Sequence, residues 1–253
     1  MKSVQQARTN PAYRASVTVG LFAYGLVHLL IAWLALQVAW GGSREEASQQ
    51  GAMRELADTP FGGILLWVVA IGLFSLVIWQ GLELAFGERK WSAAGRIVVY
   101  LALGISALRV ATGSGGSSSN EAGQKTLSAR LMAETPGRIL VGLAGLVVIA
   151  VAGRHFYKAV TRQFTRDLTG GVSSGTILLG RIGYGVKGAA LLIVGGLIAW
   201  AAITYEPSKA GGLDTALRTL KGQPFGTGLL TAMALGIACF GVYCFVWARN
   251  AKK

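Results

Sequence analysis

One ten-residue segment occurs three times in this sequence and decides the fold. It reads MRELADTPFG at 53–62, ARLMAETPGR at 129–138 and LRTLKGQPFG at 217–226, and the three copies align without gaps. Similarity that recurs along a chain in this way is the signature of a repeat architecture, in which each copy belongs to one structural unit. The sequence therefore predicts three tandem units.

Six apolar stretches surround these segments, two in each unit. A membrane-spanning helix needs about 20 apolar residues to cross roughly 30 Å of hydrocarbon. The stretches lie near residues 17–40, 61–82, 95–111, 137–156, 182–204 and 225–247. The third is the weakest, because it is short and is bracketed by Arg96 and Arg109. The first is longer than the apolar core of a signal peptide, which has about 7–15 residues, and we expect it to remain a membrane helix.

The composition places the protein in a membrane. Its 253 residues are 53% hydrophobic and only 14% charged, with a mean hydropathy of +0.51, whereas charged residues make up about a quarter of a soluble domain. The predicted fold is an all-α polytopic membrane protein. Its six transmembrane helices are expected to form three tandem helical hairpins in a pseudo-threefold arrangement. We expect the three units at residues 14–88, 89–168 and 176–250.

The distribution of basic residues predicts the orientation. When alternate loops are assigned to alternate sides, the side with both termini holds fifteen of the 24 Lys and Arg residues, and the other side holds nine. Cytoplasmic loops collect Lys and Arg, so both termini are expected in the cytoplasm. The net charge of +13 is then mostly topological. No recognition helix or aromatic stacking platform accompanies it, and we expect no nucleic-acid partner.

A proline in each repeated segment predicts the start of a returning helix. The three are Pro60, Pro136 and Pro224. Proline suits the first helical position because its missing N–H would have no partner there, and Thr59 or Thr135 just before it would cap the next free amides. Upstream, apolar residues recur at helical spacing, as at Leu213 and Leu217. Each unit is thus expected to carry a short amphipathic helix on the outer surface.

An arginine precedes each of these prolines by six residues. The three are Arg54, Arg130 and Arg218. If the units surround an axis along the membrane normal, these arginines would form a ring at the outer mouth that attracts anions, since guanidinium groups grip carboxylate and phosphate in a fork. The alternative is that each arginine pairs with a lipid phosphate or with a neighbouring acid such as Glu55 or Glu134.

The repeated motifs resemble those of a known family. Pro-Phe-Gly occurs at 60–62 and 224–226, and Gly-Arg-Ile occurs at 95–97 and 180–182. With the six-helix layout, these motifs resemble the bacterial membrane family called domain of unknown function 1206, whose members have tandem two-helix repeats, commonly three. The resemblance covers residues 14–250. It implies a multi-pass protein of the bacterial plasma membrane and implies no activity.

Ionisable residues inside the spans are candidates for function. His28 lies near the centre of the first span, and His155 lies near the inner end of the fourth, so their depths differ by roughly 10 Å or more, too far for two ligands of one haem. His28 is either part of a proton relay or a neutral imidazole bonded to a neighbouring helix. Lys187 and Glu83 would either pair and gate a pathway or each reach water at the inner boundary.

A basic run follows the fourth span. Its members are Arg154, Lys158, Arg162 and Arg166. The spacing of four places them on one face of a helix that leaves the span, where they would lie against anionic lipid headgroups or bind the acidic tail of a partner. Cys239 and Cys244 would point about 140° apart on a helix and cannot chelate together. We expect no metal site, no cofactor and no enzymatic activity.

Two functions remain open at this point. The first is a non-enzymatic scaffold or accessory subunit that contacts the lipid bilayer, including anionic lipids, and a membrane-protein partner or a second copy of itself. The second is a transporter or channel for a small solute or ion, with a path along the pseudo-threefold axis. A transporter should have a polar centre lined by His28, Lys187, Tyr24 or Tyr184, whereas a scaffold should have a packed apolar centre.

Overall fold

Nine α-helices make up most of the chain that the computed structural model describes, namely residues 11–41, 47–86, 90–113, 120–169 and 172–250. Six of them are long. They are α1 (Pro11–Trp40), α3 (Gly62–Phe86), α4 (Lys90–Ala111), α6 (Thr135–Thr161), α7 (Ser174–Thr204) and α9 (Gly226–Asn250). All six are long and apolar enough to cross a membrane, which confirms the six predicted spans. The least apolar is the third, with a mean hydropathy of 1.6 against 2.0 or more for the others.

A short helix connects the two long helices of each unit. The three are α2 (Gln49–Ala57), α5 (Asn120–Met132) and α8 (Leu213–Lys221). Each unit thus has the order long, short, long, as the repeats predict. We call the side with the short helices the outer side and the side with both termini the inner side. Two short 3₁₀ helices, Gln163–Asp167 and Pro207–Lys209, complete the described part.

The prolines lie at the start of each returning helix, but none of them occupies the first helical position, since α6 begins at Thr135, one residue before its proline. Helices α3 and α9 begin at Gly62 and Gly226, two residues after the prolines. The expected threonine caps are also wrong. The Thr59 hydroxyl donates to the carbonyl of Leu56 at 2.7 Å, so it closes the end of α2 instead of capping α3. Thr135 is itself the first residue of α6, and Glu134 occupies the cap position.

A glycine after each proline serves the same purpose in all three units. A Cβ on any of these glycines would collide with a backbone carbonyl at the end of the preceding short helix. The three pairs are Gly62 with Leu56, Gly137 with Leu131, and Gly226 with Lys221. In the middle copy the glycine follows its proline directly, and α6 begins one residue before the proline instead of two residues after it. The middle copy reads Pro-Gly-Arg and not Pro-Phe-Gly, yet its glycine makes the same close contact with the short helix.

The long helices pack in the order α4, α3, α1, α9, α7, α6. The most extensive contacts join different units, through α3 with α4, α6 with α7, and α9 with α1. The first and third units also pack internally, α1 on α3 and α7 on α9, and this confirms three tandem hairpins in a pseudo-threefold arrangement. The middle unit departs from the pattern. Among the described residues, α4 and α6 make no extensive contact, so the ring of helices is open between them.

The main core lies around α1. Its buried side chains, such as Ile31 and Leu34, pack against buried residues of α9, including Leu230 and Ala234. Helix α6 is different, since it packs mainly on α7 and exposes large apolar side chains such as Val160. A helix with an exposed apolar face is stable where that face meets lipid instead of water.

Candidate functional site at the centre of the bundle

Lys187 lies near the middle of α7, and its ammonium group is held by two residues of α1. Its Nζ donates to the hydroxyl of Tyr24 at 2.5 Å and to Nε2 of His28 at 3.1 Å. The side chain therefore points into the bundle. We call Lys187, Tyr24 and His28 the central triad.

The tautomer of His28 follows from its second contact. Its Nδ1 lies 2.8 Å from the backbone carbonyl of Tyr24. A carbonyl oxygen only accepts, so Nδ1 carries the hydrogen and Nε2 presents its lone pair to Lys187. His28 is thus a neutral imidazole bonded to a neighbouring helix, which is one of the two interpretations that the sequence left open.

Aromatic rings surround the ammonium group. The Nζ of Lys187 lies 4.2 Å from the ring centroid of Phe240 and 4.8 Å from that of Tyr24. Cations are attracted to the faces of such rings, and the attraction grows when water is excluded. Phe240 also packs on His28 at 4.8 Å and on Tyr184 at 5.2 Å between centroids. The triad is therefore fixed from α9 as well as from α1 and α7.

Each unit contributes a tyrosine from its first long helix. Tyr100 of α4 lies edge-on to Tyr24 at 5.8 Å between ring centroids. Tyr184 of α7 packs on Phe240, whose ring lies beside the ammonium group of Lys187. Tyr100 and Phe240 were missed in the sequence. Gly-x-x-x-Tyr-Gly occurs at 20–25 and 180–185 and marks Tyr24 and Tyr184, but the middle unit reads Gly-Arg-Ile-Val-Val-Tyr at 95–100, so this pattern does not mark Tyr100. Nothing in the sequence pointed to Phe240, which approaches Lys187 through the packing of helices from different units.

The membrane-spanning segments contain no acidic residue. These segments are Val17–Trp40, Gly62–Gly81, Ala94–Ala111, Thr135–Thr161, Ser174–Thr204 and Gly226–Asn250, and none of them includes Asp or Glu. Among the side chains that the structure describes, no carboxylate lies within 4 Å of Lys187. The positive charge of the central triad thus has no counter-ion within the spans.

Glu83 lies too far along α3 to pair with Lys187, which was one of the two arrangements that the sequence left open. Its side chain lies outside the described residues, but its backbone belongs to α3. Gly20 of α1 meets Gly72 of α3, and Glu83 follows Gly72 by 11 residues toward the inner side. Tyr24 lies four residues from Gly20 in the opposite direction. At about 1.5 Å per residue the two backbones are roughly 20 Å apart in depth, which exceeds the reach of the side chains.

The inner side of the central triad is sealed by an aromatic cluster. Phe164 is fully buried, with its ring 5.4 Å from those of both Tyr184 and Tyr243. The Tyr243 hydroxyl donates to the Phe164 carbonyl at 3.2 Å. Gly180 makes room for the ring, since a Cβ there would collide with it. We call Phe164, Tyr184 and Tyr243 the inner plug.

The predicted basic face is not a single helical face. Helix α6 ends at Thr161, and Arg162 has a left-handed backbone with φ of 55°. Arg166 lies in the following 3₁₀ helix. The chain turns at this point and places Phe164 in the core. The basic residues recur every four positions across the turn, so their spacing gives no sign of it. Arg154 and Lys158 remain on α6, and the Nζ of Lys158 lies 5.4 Å from the ring centroid of Tyr184.

The three outer arginines lie on different short helices. Arg54 is half-buried on α2, Arg130 is exposed on α5, and Arg218 of α8 donates from Nε to Asp214 at 2.6 Å. Arg218 thus pairs with an acid one turn away on its own helix. The role of the three as an anion-attracting ring stays a prediction.

The outer side is tied together by α8. Asp214 is buried and also accepts from the backbone N–H of Ala47 at 2.9 Å. Lys221 donates to the carbonyl of Val38, near the end of α1, at 2.6 Å. A cation at the carboxyl end of a helix is favourable because the last carbonyls have no partner within the helix. These contacts join the first unit to the third above the central triad.

The fold and the central triad define a class, a six-span α-helical membrane protein built from three tandem repeats around a central lysine. The family model described as Domain of Unknown Function (DUF1206) matches residues 19–86, 91–162 and 182–251. The chain belongs to this family, which confirms the resemblance seen in the motifs.

The chain is also similar to a curated bacterial protein. The Uncharacterized protein YxxB of Bacillus subtilis (strain 168) is 30% identical over 262 residues, which cover 97% of this chain and 94% of the relative. No solved structure matches the chain. The similarity therefore identifies a family and leaves the activity to be argued from the site.

Proposed function

We propose that the protein is a non-enzymatic transporter that binds an organic anion at Lys187 and carries it across the membrane. The observation that supports this proposal is a central lysine in six spans without a single acidic residue. We further propose that the membrane is a bacterial plasma membrane and that both termini are cytoplasmic. The bacterial relative and the excess of Lys and Arg on the inner side support this assignment.

An ammonium group in the middle of a membrane is costly. Insertion scales give about 2.5–3.5 kcal/mol for lysine at the centre of a helix. The hydroxyl of Tyr24, the imidazole of His28 and the nearby aromatic faces reduce this cost but carry no compensating charge. A bound anion would supply that charge, and the central triad is therefore a site in which anion binding is favoured.

The central triad also has donors to offer. An ammonium group has three N–H donors, and the described contacts use two of them. The Tyr24 oxygen accepts from Lys187, so its own hydrogen is available to donate. A carboxylate or sulfonate beside Nζ would thus accept one hydrogen bond from Lys187 and one from Tyr24. Charge-assisted hydrogen bonds of this kind are about twice as strong as neutral ones.

The test uses the full chain in phosphatidylcholine nanodiscs and proteoliposomes. Methanesulfonate and octanesulfonate are suitable probes, because sulfonates stay ionised and do not cross the bilayer as neutral acids. We expect saturable binding and protein-dependent efflux of at least one probe, both lost in Lys187→Gln. The matched control is Lys209→Gln, which alters an exposed lysine paired with Glu206 on the outer side. Equal binding of both probes to the wild type and Lys187→Gln would contradict the proposal.

A second candidate is the scaffold or accessory subunit. The observation that favours it is the apolar surface of α6, where Ile139, Val147 and Val160 are each at least 60% exposed. A partner helix would cover this surface in place of lipid. The test is gentle-detergent purification from the native host of the wild type and of a variant with Val147→Lys. A stoichiometric membrane protein that is lost only in the variant supports this function, and its absence from both contradicts it.

A further inference from the structure

We infer that the anion is the head of an amphiphile with an apolar tail, and that it reaches Lys187 from the hydrocarbon through the gap between α4 and α6. This inference rests on the proposed function and names its substrate class. It depends on three observations: a closed inner route, a closed outer route and an open lateral side.

The inner route is closed by the inner plug. Phe164 is fully buried between Tyr184 and Tyr243, directly on the inner side of Phe240 and Lys187. A hydrophilic solute from the inner aqueous phase would have to displace this aromatic cluster. A cavity of about 230 Å³ on the inner side lies beyond the plug and is bounded by Leu168, Ser173 and Asn250 among others.

The outer route is closed by packing and by α8. Toward the outer side of His28, the next turns of α1 are buried against α9, with Ile31 and Leu34 at 1% and 0% exposed. Above this packed layer, Asp214 and Lys221 hold α8 on the first unit. A water-filled path from the outer mouth to the central triad is therefore absent from the described part of the structure.

The lateral side is the one that the helices leave open. Helices α1, α9 and α7 surround the central triad, whereas α4 makes no extensive contact with either α6 or α7 among the described residues. Both Tyr24 and Lys187 remain partly exposed. Helix α4 turns Tyr100 toward Tyr24, and its exposed apolar side chains such as Val98 and Ile105 lie about 140–160° away on the opposite face, which suits contact with hydrocarbon.

The chemistry of the walls fits an amphiphile better than a hydrophilic anion. One cation and one hydroxyl hydrogen are available for the head, while Phe240, Tyr100 and the ring of Tyr24 supply apolar contacts. A sugar or an amino acid would leave several polar groups without partners here, which is costly in an apolar environment. A single anionic head with an alkyl chain has far fewer polar groups to satisfy.

The experiment compares chain lengths in phosphatidylcholine nanodiscs, with empty nanodiscs subtracted. We expect octanesulfonate to bind at least about 100-fold more tightly than methanesulfonate, because each methylene removed from water adds to the affinity. The Lys187-dependent part of the binding, obtained from the difference between wild type and Lys187→Gln, must show this preference. A preference that is equal in both proteins would reflect partition into lipid and would overturn the inference.

A second variant tests the direction of entry. In Phe164→Ala the inner plug is opened, and the association rate of octanesulfonate should stay within about twofold of the wild-type rate, since the amphiphile does not pass the plug. An association rate at least about tenfold faster would mean entry from the inner side. If Phe164→Ala does not fold, the chain-length comparison still tests the apolar tail, and the position of a bromine-labelled alkylsulfonate tests the route, because a tail on the inner side of Phe240 would overturn entry between α4 and α6.

The outcomes separate this inference from the proposed function. Equal Lys187-dependent binding of methanesulfonate and octanesulfonate would leave the anion transporter standing and overturn the amphiphile. Binding of neither probe in a Lys187-dependent way would overturn both.

Discussion

The first and third units differ from the middle unit, although all three have the same order of helices and the same glycine at the returning turn. In the first and third units the two long helices pack together, and these units supply the central triad, with Tyr24 and His28 from α1 and Lys187 from α7. The middle unit supplies only Tyr100 to the centre and leaves its two helices apart. One repeated sequence has thus given two units whose long helices pack together and one unit whose long helices stay apart.

The small residues explain why the middle unit is open. Gly183 of α7 lies against the backbone of Phe240 in α9, so its close approach is made within the third unit. Gly145 of α6 lies against Gly195 and Ala199 of α7, so the corresponding approach of the middle unit is made with its neighbour. Helices in membranes associate where small residues let the backbones meet. The middle unit uses this contact outside itself, and Gly104 of α4 likewise meets Phe74 of α3 in the first unit.

The largest effect is expected from Gly183→Ala. A Cβ at this position would lie 2.7 Å from the Cα of Phe240, and the helices α7 and α9 would have to separate. Overpacking of this kind costs about 2–3 kcal/mol. Gly196→Ala on the same helix is the matched control, because nothing lies within 4 Å of its Cβ position. Thermal unfolding in detergent checks both, and equal melting temperatures would contradict the close approach.

The next effect distinguishes the tyrosines of the first and middle units. Tyr24→Phe removes a hydrogen bond to a charged group, which is worth about 1.5–3 kcal/mol, so anion affinity should fall about 10- to 150-fold. Tyr100→Phe keeps the ring that contacts Tyr24 and should change affinity less than about threefold. Octanesulfonate titrations of both variants measure the difference. A larger loss in Tyr100→Phe would place the binding centre in the middle unit.

The smallest effect concerns the tie between the first and third units. Asp214→Ala leaves the buried N–H of Ala47 without its acceptor, at a cost of about 1–2 kcal/mol. The control is Glu206→Gln, which removes an exposed ion pair with Lys209 that contributes about 0–1 kcal/mol. Urea or SDS unfolding of the two variants compares these costs. If Glu206→Gln proved the more damaging, α8 would not hold the first unit.

The sequence was informative where one periodic signal determines the structure. Apolar length fixes the six spans, because bilayer thickness sets helix length. The segment before each proline predicts the short helices, because its spacing of apolar residues is local. The turn at Phe164 was missed for the opposite reason, since the spacing from Arg154 to Arg166 continues a helical pattern beyond the point where the helix ends.

The site was predicted only in part. His28 and Lys187 stand out in any apolar span, but their contact depends on how α1 and α7 approach each other around α9, and no local pattern records that approach. The sequence suggested Glu83 for Lys187 because both lie toward the inner ends of their spans. The depth of Glu83 becomes clear only when Gly20 is seen to meet Gly72.

The most direct test of the account is a crystal structure of the full chain grown with 8-bromooctanesulfonate, in which anomalous scattering locates the bromine. We expect the sulfonate within hydrogen-bonding distance of Nζ of Lys187 and the bromine between α4 and α6. A carboxylate of the chain at Nζ, with no bromine in the gap, would contradict the account.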